Sequence, residues 1–321
     1  MQVDLVKLST GKPDGTMDAV WGLVMADNLS GAVGATVLQS KADPRKEEAL
    51  RRFLGSIGAA EGPAECTLRH DQEPVVEQLC RKVAAARQGT LSVQSTSAGS
   101  HQSNGMIERQ IRELQGHIRT MRAALKEEGH DVQASSATFA WLVRHSVFVL
   151  NRFARGEAPY EKLTGQSADG LELYPFLAPV MVKQATNGKL DERWSEGLWL
   201  GREDGDHLVW TGARVQPGRE VKPVARGQFR GVGPVTEFPW GPGPEGRATE
   251  PTPGCSGCER GRNYHHSVEC LRRRFERAPQ HESHPYWQPA QVATQQAEGE
   301  TTQQTLPSDQ VPTTSAEAIG P

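Results

Sequence analysis

The order of strand and helix signals in the first 95 residues constrains the fold more than any other feature of this sequence. Alternating apolar residues and turn signals predict strands at Val3–Leu8, Val20–Ala26, Ala32–Leu38, Cys66–His70 and Leu91–Gln94. Helical stripes predict one helix beginning at Asp43-Pro44 and a second over Pro74–Arg87. The order βββ-α-β-α-β therefore indicates an α/β domain.

Two further helices are predicted after a polar segment. Residues 95–104 contain only turn formers and polar residues, which favour a mobile loop. A long stripe then follows, formed by Ile107, Ile111, Leu114, Ile118, Met121 and Leu125. Another helix is predicted over Ala137–Arg152, so the α/β domain should occupy residues 1–165.

The rest of the chain changes character twice. Short strand signals recur between residues 180 and 215, separated by turn dipeptides, and predict a small antiparallel barrel-like β-domain over 166–225. Residues 226–321 hold 12 of the 21 prolines but only 11 Leu, Ile, Val or Phe. This is too little apolar surface to offset chain entropy, so we expect a mostly disordered tail.

Charge and hydropathy exclude several classes of protein. The net charge is −3, so no global positive field draws the chain to nucleic acid, and such binding must be local. No apolar run approaches the ~20 residues that span a bilayer, and residues 1–30 lack the pattern of a secretory signal. We therefore expect a soluble intracellular protein without a membrane partner.

Three carboxylates stand out from the other acidic residues by their positions. Asp4 lies inside an apolar strand, Asp71 directly follows a strand, and Glu108 lies in the first turn of the long helix. Each has a structural alternative: Asp71 could cap the next helix, Glu108 could favour the helix dipole, and Asp4 could belong to a frayed terminus. Together, however, the three can converge at one edge of the sheet.

This constellation resembles the integrase core of retroviruses and retrotransposons. The resemblance depends on Asp4 in QVDLV, Asp71 in LRHDQEP and Glu108 in HQSNGMIERQIREL, with 36 residues between Asp71 and Glu108. Likeness to the copia-type branch continues in FAWLVRHSVFVLNRFARGEAPYEKLTGQ and GLWLGREDGDHLVW. The similarity covers roughly residues 2–224.

The resemblance implies an RNase H-like mixed five-stranded sheet flanked by helices, and metal-dependent strand transfer that inserts element ends into target DNA. By resemblance, Asp4, Asp71 and Glu108 are catalytic and hold Mg²⁺ or Mn²⁺, because two divalent ions can clamp the entering and leaving oxygens. Asn104 and Gly105 would lie in the mobile loop next to DNA, and Arg109 could meet a phosphate from the helix that carries Glu108. Arg112 could meet a phosphate or pair with Glu108 four residues earlier; both interpretations stay open. An active enzyme would be a homo-oligomer, and a eukaryotic element would place it in the nucleus.

The sequence also departs from the family pattern. Met1 lies three residues before Asp4, which favours a fragment of a longer polyprotein that lacks the family's upstream zinc-binding domain. His101 and Gln72-Glu73-Pro74 replace residues common in the family. These changes keep a second hypothesis open, in which a catalytically inactive or co-opted fragment acts only as a nucleic-acid-binding module.

A Cys/His cluster in the tail indicates a separate metal site. The ligand spacing is C-x2-C-x7-H-x3-C through Cys255, Cys258, His266 and Cys270, or x6 and x4 if His265 is the ligand. Such a set suits tetrahedral zinc and loosely resembles a retroviral zinc knuckle. The alternative is reduced cysteines in a disordered tail. Cys66 and Cys80 are predicted to be core residues.

Overall fold

The computed structural model describes residues 1–240 except 13, 61–64, 88–89, 97–100, 154–155, 185–187 and 204, and it leaves out the side chains of 101–104 and 226. All described residues belong to one unit of the chain, Met1–Glu276. Within them, no helix is both long and apolar enough to cross a membrane.

The first sheet has five strands in the order β3-β2-β1-β4-β5. Their bounds are Gln2–Gly11 for β1, Met17–Ala26 for β2, Val33–Leu38 for β3, Cys66–His70 for β4 and Leu91–Ser95 for β5. The first three strands pair antiparallel, whereas β4 pairs parallel with both β1 and β5. The predicted RNase H-like mixed sheet is confirmed.

Helices cover both faces of this sheet because the apolar side chains of β1 and β2 point alternately to one face and to the other. The helices are α1 (Arg45–Ser56), α2 (Pro74–Ala85), α3 (His101–Glu127), α4 (Ala137–Arg152) and α5 (Pro159–Thr164). Val3 and Leu5 of β1 pack in one cluster with α1 and α2, and Leu8 packs in another with α3 and α4. The same alternation determines on which face of the sheet every other side chain of β1 lies.

A side-chain amide covers part of the outer edge of the first sheet. The N–H of Val33 in edge strand β3 donates to Oδ1 of Asn151 at 2.9 Å, and Nδ2 of Asn151 donates to the Val33 carbonyl at 2.7 Å. Both backbone groups of Val33 are therefore satisfied by α4, as they would be by another strand.

The second sheet is antiparallel and has the order β10-β6-β7-β8-β9. Its strands are β6 (Pro179–Lys183), β7 (Trp194–Glu203), β8 (Asp206–Trp210), β9 (Val215–Gly218) and β10 (Val221–Pro223), followed by a 3-10 turn at Arg226–Gln228. A Cβ at Gly197 would lie 2.5 Å from the Trp210 carbonyl oxygen, so the close approach of β7 and β8 requires glycine there. The predicted small β-domain is confirmed as this sheet.

One apolar cluster continues from α3 and α4 into the second sheet, through Leu198, Leu200 and Trp210. Residues after the second sheet also join it: Val235 is buried, and the Glu237 carbonyl accepts a hydrogen bond from Trp141 Nε1 at 2.6 Å. The start of the predicted tail, up to Trp240, is thus packed on the core. The division at residues 165 and 225, and the disorder expected farther along, remain predictions.

Candidate metal and nucleic-acid site

The pairing of β1 with β4 brings Asp4 and Asp71 to neighbouring positions. The parallel register pairs Gln2 with Arg69 and Val3 with His70, so the next residue on each side is a carboxylate. Register partners in a parallel pair point to the same face of the sheet. Asp4 therefore shares with Gln2 the face that carries α3, and Asp71 follows β4 beside it.

Helix α3 is attached to that face through its backbone. The N–H of Ile107 donates to Oε1 of Gln2 at 2.8 Å, and both residues are buried. Glu108, the next residue, is exposed. It is the eighth residue of α3, so the prediction that it lies in the first turn was wrong, because the helix begins earlier, at His101. The apolar stripe of α3 fixes the direction of the helix, and the bond to Gln2 fixes where it meets β1.

The electrostatics of Asp4 reflect this convergence. Burial, the largest cause, acts together with the charges of Asp71, Glu73 and Glu108 to raise the pKa of the Asp4 carboxyl from 3.8 to about 6, against a hydrogen bond from the Leu5 N–H. A carboxyl group surrounded by other carboxylates is stabilised by a bound cation. The side chains are near enough to interact, but within the described part of the chain no three His, Cys, Asp or Glu side chains form a closed metal site.

Asp71 also has a structural role. Its Oδ1 accepts a hydrogen bond from the Glu73 N–H at 3.0 Å, in the turn that precedes α2 at Pro74. The N-cap residue of α2 is Glu73 and no side chain caps it, so Asp71 closes the turn before the helix and does not cap it. This bond is compatible with a ligand role because a carboxylate has several lone pairs.

Sequence reasoning did not select Glu73 as part of the site. Its side chain is held by Lys41, whose Nζ lies 2.5 Å from Glu73 Oε1. The available signal was its position two residues after Asp71 in a turn closed by proline, which keeps it at the same sheet edge.

Two residues predicted to lie in a loop are helical. Helix α3 begins at His101, so Asn104 and Gly105 lie within it, and the loop prediction was wrong for residues 101–104. Each residue added to an existing helix gains a backbone hydrogen bond, which outweighs the weak turn preference of short polar residues. A Cβ at Gly105 would meet no atom within 4 Å, so packing does not require glycine there.

The two arginines after Glu108 differ in their contacts. Arg109 Nε lies 3.0 Å from Glu113 Oε1, which gives it an intrahelical partner. Arg112 is exposed, and the ion pairs among the described residues do not include one between Arg112 and Glu108. This geometry favours neither phosphate contact for Arg109 nor the pairing alternative for Arg112.

Comparison with family models gave no match, and comparison with curated proteins gave none. Among solved structures, the chain is similar to one in the simian T-cell lymphotropic virus intasome in complex with PP2A regulatory subunit B56 gamma, with 14% identity, coverage of 70% of this chain and 77% of that one, and a TM-score of 0.38. It is also similar to the catalytic core domain of BIV integrase (17% identity, 51% and 92% coverage, TM-score 0.33). The HTLV-2 integrase catalytic core domain in complex with magnesium, in a trimeric form, gives 11% identity, 50% and 93% coverage and a TM-score of 0.35. These values assign no activity to the chain.

The predicted zinc ligands Cys255, Cys258, His265, His266 and Cys270 lie outside the described residues. Of the two remaining cysteines, Cys80 is fully buried, and burial raises the pKa of its thiol to about 12. Cys66 is half-buried against the α1 and α2 cluster. Both positions agree with the core role expected for them.

Proposed function

We propose that this protein is an integrase-type polynucleotidyl transferase of a copia-type retrotransposon, which joins element ends to target DNA with divalent metal. The observation that carries the proposal is the convergence of Asp4 and Asp71 on adjacent parallel strands with the end of α3 that bears Glu108. These residues come from three separate elements, and burial together with the charges of Asp71 and Glu108 raises the pKa of Asp4.

The three carboxylates fit Mg²⁺ or Mn²⁺ as ligands. All are hard oxygen donors, and the high local density of negative charge favours a divalent cation. Asp4, beside Asp71 on the α3 face, would be a ligand of both ions. Asp71 and Glu108 would each hold one ion. The bound metal would supply activation of the attacking oxygen and stabilisation of the leaving oxygen.

The chain's own residues have tasks that the geometry supports. Asp4 must lose its proton before it can act as a ligand, so its raised pKa opposes assembly of the site in acid. Gly105 leaves open space at the start of α3, where a DNA backbone could approach closely. Asn104 and Arg112 would contact the DNA, and Arg109 would do so after leaving Glu113.

The same proposal covers partners and location. The partners would be element-end and target DNA, and the active form would be a homo-oligomer that holds two DNA ends. For a eukaryotic element, the site of action would be the nucleus, where the target DNA lies.

A second function is favoured by one observation. The described carboxylates do not form a closed metal site, which suits an inactive or co-opted fragment that only binds nucleic acid. In this alternative the protein keeps its fold and the α3 surface but catalyses no reaction.

Magnesium-dependent nicking and joining of a labelled element-end duplex distinguishes the two functions. We expect Asp71→Asn and Glu108→Gln each to lower the rate at least 100-fold, because each removes a ligand charge from the reacting centre. Asp169→Asn, an exposed carboxylate in the connection to the second sheet, is the matched control and should keep full activity. Activity that survives both ligand substitutions would contradict the proposed enzyme. DNA binding without any nicking by the unsubstituted protein would support the binding module.

A further inference from the structure

An aromatic ring bordered by two lysines lies on the face of the first sheet that carries α1 and α2. The Nζ of Lys41 is 4.3 Å from the centroid of the Trp21 ring. Lys7 is the cross-strand partner of Trp21 in the β1–β2 pair, and its side chain is exposed. Trp21 itself is half-buried against the α1 and α2 cluster. Lys7, Trp21 and Lys41 are called the Trp21 platform below.

Glu73 connects this platform to the candidate metal site. Its Oε1 lies 2.5 Å from Lys41 Nζ, and its backbone N–H donates to Asp71 Oδ1. The Lys41 ammonium is therefore two contacts away from a proposed metal ligand. Because a carboxylate and an indole ring both hold it, its position is more restricted than that of an ordinary surface lysine.

Stability alone is a weak reason for this arrangement. The Lys41 and Glu73 side chains are 38% and 19% exposed, and ion pairs near the surface contribute little to folding. Lysines close to a site that cuts DNA have a direct use, because phosphates bind ammonium groups and each contact releases a counterion. A cation fixed over an aromatic ring loses less freedom when it binds a phosphate.

We infer that the Trp21 platform binds the DNA backbone beside the proposed reaction centre, with Lys7 and Lys41 on phosphates and Trp21 positioning Lys41. This inference rests on the proposed function, since it takes DNA as the substrate. Lys7 and Trp21 lie on the α1 and α2 face, whereas Asp4 lies on the α3 face. The platform therefore approaches the proposed centre at the sheet edge that carries Asp71, through the contact of Lys41 with Glu73. The platform thereby supplies local positive charge to a chain whose net charge is −3.

The salt dependence of DNA binding tests this inference. The full chain is titrated with a fluorescein-labelled DNA duplex of mixed sequence, without divalent metal, over a series of salt concentrations. Lys7→Met and Lys41→Met should each reduce the slope of log K against log salt by about 0.9 and weaken binding about five- to tenfold at 0.1 M salt. Trp21→Leu should weaken binding but keep the slope, because it removes no charge.

Lys126→Met is the matched control. It removes the same charge from the last turn of α3, about 27 Å along the helix from Glu108, and should leave the slope unchanged. Glu73→Gln frees Lys41 and removes a negative charge, so it should keep or strengthen DNA binding. Thermal unfolding of each variant checks that the fold is retained.

The outcomes separate this inference from the proposed function. An unchanged slope in both Lys7→Met and Lys41→Met overturns the platform, even if Asp71→Asn still abolishes joining. A reduced slope in those variants supports the platform, even if the unsubstituted protein joins no DNA. Equal loss of thermal stability in Lys41→Met and Glu73→Gln, with DNA affinity unchanged in both, would show that the pair only links the segment after β3 to the turn before α2.

Discussion

The backbone N–H of Ile107 donates to the side-chain Oε1 of Gln2 at 2.8 Å, between residues 105 positions apart in the chain. Gln2 lies two residues before Asp4, and Ile107 lies one residue before Glu108. This bond therefore ties the strand that carries one proposed ligand to the helix that carries another.

Truncation of Gln2 should loosen that attachment. We expect Gln2→Ala to lower the free energy of unfolding by about 1 kcal/mol, because a buried hydrogen bond is lost. Hydrogen exchange at the Ile107 amide should become faster, and joining activity should fall more than DNA affinity. Gln78→Ala, an exposed amide on α2, is the control for side-chain truncation. Unchanged exchange at Ile107 would argue against the attachment.

Asp4 should make stability depend on pH. Its pKa is raised from 3.8 to about 6 by burial and neighbouring carboxylates, so the folded state holds a proton that the unfolded state has released between those values. The free energy of unfolding should therefore fall as pH rises from about 4 to about 6, in metal-free buffer. Asp4→Asn should flatten this slope and stabilise the protein by about 1–2 kcal/mol at neutral pH, after allowance for partial solvent exposure. Urea denaturation across this range measures both effects, and an unaltered slope in the variant would refute the assignment.

Removal of the Asp71 charge should lower the pKa of the Asp4 carboxyl. Asp71→Asn keeps an oxygen that can accept the Glu73 N–H but removes the largest charge contribution to the raised pKa of Asp4. The titration of the Asp4 carboxyl, followed by carbon NMR, should then have a midpoint below about 6. Asp169→Asn should leave that midpoint in place. An unchanged midpoint in Asp71→Asn would mean that the two carboxylates are not neighbours.

A side chain at Gly105 should separate stability from DNA binding. Because Gly105 is exposed, helical and surrounded by open space, Gly105→Ala should stabilise the protein by about 0.5–1 kcal/mol. If DNA approaches this backbone closely, the same methyl group should weaken binding. Chemical denaturation measures the free energy of unfolding, and fluorescence anisotropy measures the affinity for DNA. Gly116→Ala, also on α3, should stabilise the helix without any loss of DNA affinity.

Zinc in the Cys/His cluster is a separate expectation. The full chain should contain about one zinc per molecule, and Cys255→Ser with Cys258→Ser should abolish it, because thiolates supply most of the ligand set. Elemental analysis after dialysis provides the measurement. A zinc content near zero in the unsubstituted protein would favour reduced cysteines in the tail.

The sequence allowed Asp4 and Asp71 to converge because strand periodicity is a local signal, which placed one carboxylate inside a strand and the other directly after one. The parallel register of β1 and β4, which makes them neighbours, could not be read from local patterns. The start of α3 was harder to predict, because the short polar residues at 101–104 are as compatible with a turn as with the first turn of a helix. Glu73 was missed for a different reason: its place depends on the turn that Asp71 closes and on Lys41, 32 residues away. Strand β7 runs from Trp194 to Glu203, well beyond the short strand signal at Gly197–Leu200, because pairing with β6 and β8 extends it past this apolar centre.

The amide of Asn151 has a consequence for how copies of this chain can associate. By occupying both the N–H and the carbonyl of Val33, it removes the backbone groups through which a foreign strand would begin to add to β3. Strand addition that starts at Val33 is therefore not expected to contribute to an assembly around DNA. Asn151, which lies in the segment that resembles the copia-type branch, thus protects this protein from joining its neighbours by strand pairing at Val33.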